Sequence, residues 1–168
     1  MANATYDLLD SADLGGVQSI SFTGIPTIDA NGNSYKHLIL ELDLQTASVT
    51  SAGVRLNNDT GGNYKRYAFY YDYQQRALTG SNVLWPVSQG VSSADVRVLS
   101  VYNIMDYTTT RYKTFVGNRV SSDSGAPMPE LGGGIWQSTS TVSSLQVFNT
   151  SAVNWDTGSA ARLFGVIA

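Results

Sequence analysis

The chain has 168 residues with a formal net charge of −3, 14% charged and 42% hydrophobic residues, and no cysteine. Its length predicts one domain around a single core, because domains cluster near ~100–150 residues. The acidic balance excludes the broad basic face that nucleic acid requires, the apolar runs are shorter than the ~20 residues of a membrane-spanning helix, and the lack of cysteine excludes disulfides and thiolate metal sites.

The N-terminal segment, residues 1–16, is predicted to be an arm or an edge strand, and residues 17–168 are predicted to form one β-sandwich domain. Its apolar side chains lie among three aspartates without a clear period, so they are candidates for contacts with a neighbouring subunit or a shell. These candidate interface residues are Tyr6, Leu8, Leu9 and Leu14. The first seven residues show neither the basic nor the apolar region of an export signal.

Period-2 alternation, which is typical of half-buried strands, recurs along the rest of the chain. The clearest case runs from Leu38 to Leu44, where every second residue is leucine, and predicts a strand with its leucine face inward. Val54 and Leu56 predict a short strand that enters the turn cluster 57–63. An aromatic strand over 64–73 follows, and we expect these two strands to form a hairpin with a long loop.

The second half of the chain adds further strands. Residues 96–104 alternate in the same way, and residues 112–120 are predicted to pair with them in an antiparallel hairpin. The segment 121–134, which contains Pro127, Pro129 and three consecutive glycines, is predicted to be a long surface loop. Strands are expected at 134–137, 144–149 and 162–167. The total of about nine strands predicts an all-β protein, an antiparallel β-sandwich that is jelly-roll-like.

Candidate catalytic groups are few. His37 is the single histidine, and without a Gly-x-Ser-x-Gly motif it is expected to make a structural hydrogen bond at the end of a strand. Glu41 and Asp43 share one face of one strand, with no second carboxylate across a cleft. The cluster 57–63 lacks the acidic rhythm of a calcium loop. The sequence therefore predicts no enzyme, no cofactor and no metal site.

Tyrosine is the most informative excess, because five of the 10 tyrosines lie between Tyr64 and Tyr73. Alternation makes both faces of that strand aromatic. One row could be core and the other a cross-strand ladder; a protein interface or a sugar-stacking site would also use tyrosine. The candidate interface residues here are Tyr70, Tyr71 and Tyr73.

Several segments, spread from end to end, resemble a family of small tailed-bacteriophage virion structural proteins. The matching segments are ATYDLLDS at 4–11, ISFTGIP at 20–26, YKHL at 35–38, VRLNNDTGGNY at 54–64, IMDY at 104–107, GIW at 134–136 and LFGV at 163–166. The family's signature "RxNxDTGxNY" is matched by the fourth of these segments. Residues 27–34 are an insertion relative to the family, with Asn31-Gly32 as its turn signal.

This resemblance implies a β-sandwich protein of the particle exterior, usually capsid decoration or head fibre and sometimes a tail component. The leading expectation is a capsid decoration (cement) protein on the outer surface of the capsid, made in the host bacterial cytoplasm. Its partners would be the phage major capsid protein and copies of itself, with no nucleic acid and no membrane. The alternative is a tail-fibre or receptor-binding module that recognises a host surface glycan. The resemblance brings no catalytic residues.

Overall fold

A computed structural model describes residues 5–45, 52–70, 75–81, 85–87, 97–123 and 126–167. These residues form twelve strands and no helix, so the described part of the chain contains no helix that could span a membrane. The strands are β1 (Tyr6–Asp13), β2 (Ser19–Thr23), β3 (Tyr35–Gln45), β4 (Ala52–Leu56), β5 (Tyr64–Tyr70), β6 (Gln75–Ser81), β7 (Trp85–Val87), β8 (Arg97–Met105), β9 (Lys113–Asp123), β10 (Ala126–Trp136), β11 (Ser144–Asn149) and β12 (Ala160–Ile167).

The strands form two antiparallel sheets. The large sheet has eight strands in the order β1-β12-β3-β8-β9-β10-β5-β6, and the small sheet has four in the order β2-β11-β4-β7. The prediction of an all-β antiparallel protein is therefore confirmed, whereas the described residues alone form twelve strands and not about nine. The segment 1–16 contributes β1, which lies at one edge of the large sheet and pairs with β12.

The core lies between the sheets and is mainly aliphatic. The four leucines of β3 are at most 2% exposed, which confirms the inward leucine face. They share one cluster with side chains of the small sheet, among them Val54 and Val147. The predicted C-terminal strand is confirmed as β12, which lies between β1 and β3 and so holds the end of the described chain inside the sheet.

The predicted hairpin of β4 and β5 is wrong. β4 pairs with β11 and β7 in the small sheet, whereas β5 pairs with β10 and β6 in the large sheet. The turn 57–63 therefore crosses from one sheet to the other. Alternation identifies the buried face of a strand but not its neighbour, and here the Tyr64 hydroxyl lies 3.0 Å from the Leu56 amide nitrogen that donates to it, so the two strands meet across the core.

The predicted surface loop at 121–134 is also wrong, because β9 and β10 form a long antiparallel pair through most of it. Proline and glycine lower strand propensity, but both are tolerated at the positions that they occupy in β10. Pro127 and Pro129 precede the part of β10 that pairs with β5, so their missing amides are tolerated. At Gly134 a Cβ would lie 2.1 Å from the Lys65 carbonyl oxygen, so only glycine fits.

Two other predicted features are confirmed. β8 and β9 form the expected antiparallel hairpin. In the segment 27–34, a turn closes where Gly32 has a φ of 83° and donates its amide to Asp29 O at 3.1 Å. The Asp29 carboxylate accepts the side-chain amide of Asn33 at 2.8 Å and the backbone amides of Asn31 and Asn33 at 2.8 and 2.7 Å. The side-chain amide of Asn33 lowers the pKa of Asp29 most, and the two backbone amides lower it further, against the opposing effect of burial.

At three glycines of the two sheets, the atom nearest to an added Cβ belongs to an aromatic ring of the adjacent strand. A Cβ on Gly117 would lie 2.3 Å from the Tyr102 ring, and a Cβ on Gly53 would lie 2.3 Å from the Phe148 ring. The third pair is Gly165 under Tyr35, at 2.7 Å. In each pair the ring occupies the space that any side chain on the glycine would need.

Candidate interface on the outer face of the large sheet

The outer face of the large sheet is the face directed away from the leucine core. Strand register places its side chains in rows that cross the sheet at right angles to the strands. One of these rows, which we call the apolar row, crosses seven of the eight strands. Its members, from β1 to β5, are Leu8, Phe164, Ile39, Asn103, Val116, Gly133 and Tyr67.

The apolar row is open to solvent at both ends and in its second half. Leu8 is 57% exposed, Val116 41% and Tyr67 37%, while Phe164 and Ile39 are half-buried. Strands are ~4.8 Å apart, so seven adjacent strands give a row about 29 Å long. Large exposed apolar patches on a folded protein mark interaction sites, so this row makes the outer face the candidate interface.

The rows next to the apolar row divide the outer face into two regions. We call the first, on β1, β12, β3 and the start of β8, the charged corner: Asp13, Glu41, Asp43, Arg97 and Arg162. We call the second, on β8, β9 and β10, the uncharged patch, which consists of Asn103 and Val116 of the apolar row together with Leu99, Val101, Asn118, Val120, Pro129 and Leu131 of the rows beside it. In the charged corner, Arg97 Nε lies 2.8 Å from Asp43 Oδ1, and Arg97 Nη2 donates to the Gly158 carbonyl at 3.0 Å.

The N-terminal candidate residues lie in three different environments. Tyr6 and Leu8 are both 57% exposed and lie on the outer face at the edge of the sheet. Leu9 is half-buried and packs against the core. Leu14 is 0% exposed, so its expected role as a contact residue is wrong. After β1 the chain turns inward, where the Leu14 amide donates to the Ser159 carbonyl oxygen at 2.8 Å.

The tyrosine-rich strand is only partly described. Tyr64 is buried and stacks on Trp136 with ring centroids 6.2 Å apart. Its hydroxyl accepts the Leu56 amide inside the core. Tyr70 ends β5 opposite Glu130 of β10. Tyr71 and Tyr73 lie outside the described residues, so the expectation of an interface or a sugar site there stays a prediction.

The turn 57–63 is built as a structural link. Asp59 accepts hydrogen bonds from Trp136 Nε1 at 2.6 Å, from Asn63 Nδ2 at 2.9 Å and from the Gly61 amide at 2.8 Å. Burial opposes ionisation of Asp59, but these three donors together lower its pKa. A carboxylate already surrounded by N–H donors is not arranged to hold a cation, which agrees with the sequence interpretation of a turn.

Asn57 completes this link from the other side of the turn. Its φ of 51° is a left-handed conformation that asparagine tolerates. Its side-chain oxygen accepts the amides of Ser143 and Ser144 at 2.9 and 3.1 Å, and its Nδ2 donates to the Thr141 carbonyl at 2.8 Å. Asn57 therefore joins the crossover between the sheets to the segment before β11.

The candidate catalytic groups are not brought together. His37 accepts a hydrogen bond from the Asp106 amide at Nδ1, over 3.2 Å, which is the structural bond expected at a strand end. Glu41 and Asp43 lie on the outer face in the charged corner. Within the described ranges, no cluster of three or more histidine, aspartate or glutamate side chains could hold a metal ion.

Sequence reasoning missed a buried ion pair on the inner face of the large sheet. Arg119 Nε of β9 lies 2.9 Å from Glu130 Oε2 of β10, with side chains 4% and 2% exposed. Burial raises the pKa of Glu130 to about 7, against the lowering effect of Arg119 and Arg66. The only available signal was a single glutamate, the fifth residue of β10, beside prolines that argue against a strand.

No family model matches the chain, and no curated protein matches it.

Proposed function

We propose that the protein is a bacteriophage virion structural protein, a decoration (cement) protein that binds the outside of the head shell and stabilises it. The observation that carries the proposal is the outer face, where a row with no charged side chain crosses seven strands. Such a face suits docking on another protein, because the centres of protein interfaces are depleted of charge and enriched in apolar and aromatic side chains.

The fold included in this proposal is a jelly roll. Support comes from the order of the strands when β5, β6, β9 and β10 are set aside. Counted along the chain, the remaining eight then run 1-8-3-6 in the large sheet and 2-7-4-5 in the small sheet. First and last strands become neighbours in one sheet and the second and seventh in the other, which is the pairing of a double Greek key. The two extra pairs of strands extend the large sheet.

Decoration requires contacts and no reaction. A protein that binds the assembled shell, but not its separated subunits, stabilises the shell by its binding free energy. The edge position of β1 supports a role in this contact, because Tyr6 and Leu8 are exposed there. Since Leu14 is part of the core, point substitutions at Leu8 test the contact more cleanly than deletion of the N-terminal segment.

The test is to label purified particles with gold-conjugated antibody and to measure the copy number of added protein per particle. We expect label over the whole head, and we expect Leu8→Asp to reduce occupancy at limiting concentration about tenfold, the effect of ~1.4 kcal/mol of lost binding. Ile28→Asp is the matched control, because Ile28 is 54% exposed and lies outside the outer face.

Three results would contradict the proposal. Label confined to the tail would favour the receptor-binding alternative and make glycan binding the next measurement. Absence of label from particles would reject a virion role. Equal occupancy for the Leu8→Asp variant and the wild type would reject docking through the β1 end of the outer face.

A further inference from the structure

The charged corner contains a depression of about 280 Å³. The end of β1, the start of β12 and the two residues before β12 line it, mainly with small side chains. None of the lining residues belongs to the apolar row that carries the proposed contact with a shell. The lining residues include Ser11, Asp13, Gly158, Ala160 and Arg162.

Strand register places charged side chains of both signs around Ala160. Ala160 lies between Asp13 of β1 and Asp43 of β3 in one row of the outer face. Strands are ~4.8 Å apart, so the α-carbons of these two aspartates are about 10 Å apart. Arg162 lies on the same face, two residues further along β12. Because alanine ends at a methyl group, the space between the two carboxylates stays open.

Hydrogen bonds hold three of the charged groups at this corner in place. Asp13 Oδ1 accepts the Gly15 amide at 2.8 Å. Arg97 donates through Nε to Asp43 at 2.8 Å and through Nη2 to the carbonyl of Gly158 at 3.0 Å. Groups that are already ordered lose little freedom when a ligand binds, which favours affinity.

Arg162 is the cation at this corner that remains open to a ligand. It is exposed, and it pairs in register with Glu41 of β3. Among the residues that the structure describes, none forms an ion pair or a hydrogen bond with its guanidinium. Its N–H donors are therefore available to a molecule that enters the depression.

We propose that this depression binds one ring of a neutral sugar, with Arg162 donating to its oxygens and Asp13 accepting from its hydroxyls. A hydroxyl both donates and accepts, so neighbouring hydroxyls of one ring can pair with a guanidinium and a carboxylate at the same time. The corner holds three carboxylates and two guanidinium groups. An ion of either sign would therefore meet like charges as well as opposite ones, which favours an uncharged ligand.

The size of the depression fits a single sugar unit. Pockets for drug-sized ligands span about 300–1,000 Å³, so a volume of about 280 Å³ has room for one ring and not for a long chain. A ligand with so few atoms should bind weakly, with a dissociation constant of about 1–10 mM. The inference goes beyond the virion role, because it concerns the purified chain alone.

The first experiment is a nuclear magnetic resonance titration of the isotope-labelled full chain with glucose, galactose, mannose and N-acetylglucosamine. Each sugar is added to about 100 mM, a concentration that exceeds millimolar dissociation constants. We expect at least one sugar to shift the amide resonances of residues 11–13 and 158–162 saturably. No saturable shift with any of the four sugars, or saturable shifts confined to other residues, would overturn the inference.

A matched pair of arginine variants tests the assignment to Arg162. Arg162→Ala should weaken binding of the responding sugar about tenfold, the loss expected when hydrogen bonds to a charged group are removed. Arg111→Ala is the control, because Arg111 is also exposed but lies in the turn before β9, and it should bind like the wild type. Unchanged binding by Arg162→Ala, or equal weakening in both variants, would contradict the proposed site.

A titration with the free amino acid glycine, a zwitterion, separates recognition of hydroxyls from recognition of charge. At the same concentrations it should leave the resonances of residues 11–13 and 158–162 unchanged, because it has no hydroxyl to pair with the guanidinium and the carboxylate together. Saturable shifts of these resonances by the zwitterion would show that the depression selects charged groups, and would overturn the assignment to a neutral sugar.

Discussion

Two regions of the inner face of the large sheet bury their side chains by different means. At β3 the buried positions are leucines that pack against the aliphatic side chains of the small sheet. At β9 and β10 the same face carries the Arg119–Glu130 ion pair, 2.9 Å apart, and Gly117, which the Tyr102 ring covers. One face of one continuous sheet thus combines an aliphatic core with a polar, glycine-containing core.

The difference teaches that the two regions depend on different free-energy terms. The leucines stabilise the fold through apolar area removed from water, so each truncation costs transfer free energy and leaves a cavity. The ion pair gains Coulomb energy only by losing hydration of both ions. Removing one leucine should therefore weaken the fold, whereas removing one ion should leave the other buried without its counter-charge.

The largest effect is expected for Glu130→Ala, which leaves Arg119 buried beside a cavity. We expect the free energy of unfolding in urea to fall by about 3–5 kcal/mol. The double variant Arg119→Met/Glu130→Met should recover most of this loss, because two apolar side chains of similar length need no compensating charge. A double variant as unstable as Glu130→Ala would show that packing, and not charge, dominates this region.

Leu40→Ala is expected to cost about 3 kcal/mol, within the 2–5 kcal/mol typical of buried leucines. Leu40 is 0% exposed, so its truncation leaves a cavity in the aliphatic core. Ile39→Ala, on the opposite face of the same strand and half-buried, should cost less than about half as much. Equal losses at both positions, measured by the same urea titration, would argue against an inward leucine face.

The pH dependence of stability separates the regions further. With its folded-state pKa raised to about 7 from 4.5, Glu130 holds its proton in the folded state over a range in which the unfolded chain has lost it. Its contribution to stability is therefore present below about pH 4.5 and is lost as pH rises to about 7. We expect this part of the unfolding free energy to fall by about 1–3 kcal/mol, and Glu130→Gln to abolish that fall. A wild type whose pH dependence equals that of Glu130→Gln would contradict the raised pKa.

An effect no larger than that of Glu130 titration is expected at the turn between the sheets. Asp59→Asn removes the charge that accepts hydrogen bonds from Trp136, Asn63 and Gly61, and should lower the unfolding free energy by about 1–3 kcal/mol. Trp136 fluorescence should change in parallel. The control is Asp10→Asn, because Asp10 is an exposed carboxylate that accepts only the Ser11 amide among the described bonds. This substitution should change the unfolding free energy by less than about 0.5 kcal/mol. Equal losses for the two variants would contradict the structural role of Asp59.

Much of the fold could be predicted from local pattern. Alternation identified the leucine strand, the hairpin of β8 and β9 and the C-terminal strand, because each has one buried face that the period reveals. It failed for the pairing of β4 and β5, since a period carries no information on which strand lies beside which. It failed again for β10. The prolines of β10 are tolerated because they precede the part that pairs with β5, and Gly134 is required because the Lys65 carbonyl oxygen approaches it closely.

The candidate interface could be predicted only in part. Tyr6 and Leu8, which the sequence offers as contact residues of the N-terminal segment, are exposed, but Leu14 of the same segment belongs to the core. The apolar row was inaccessible to sequence reasoning, because its members come from seven strands and become neighbours only through the register of the sheet. Single exposed residues such as Leu131 carry no such signal until that register is known.

The rings over glycines also limit how the chain can misfold. A slip of two residues between β8 and β9 would keep Tyr102 on its face but move it from Gly117 onto Phe115 or Arg119, where its ring would meet a full side chain. Sheets this rich in long-range pairing fold slowly and can be trapped in wrong alignments. Each ring therefore disfavours shifted pairings of its two strands early in folding. The three glycines, Gly53, Gly117 and Gly165, lie in both sheets, so shifted pairings are disfavoured in both.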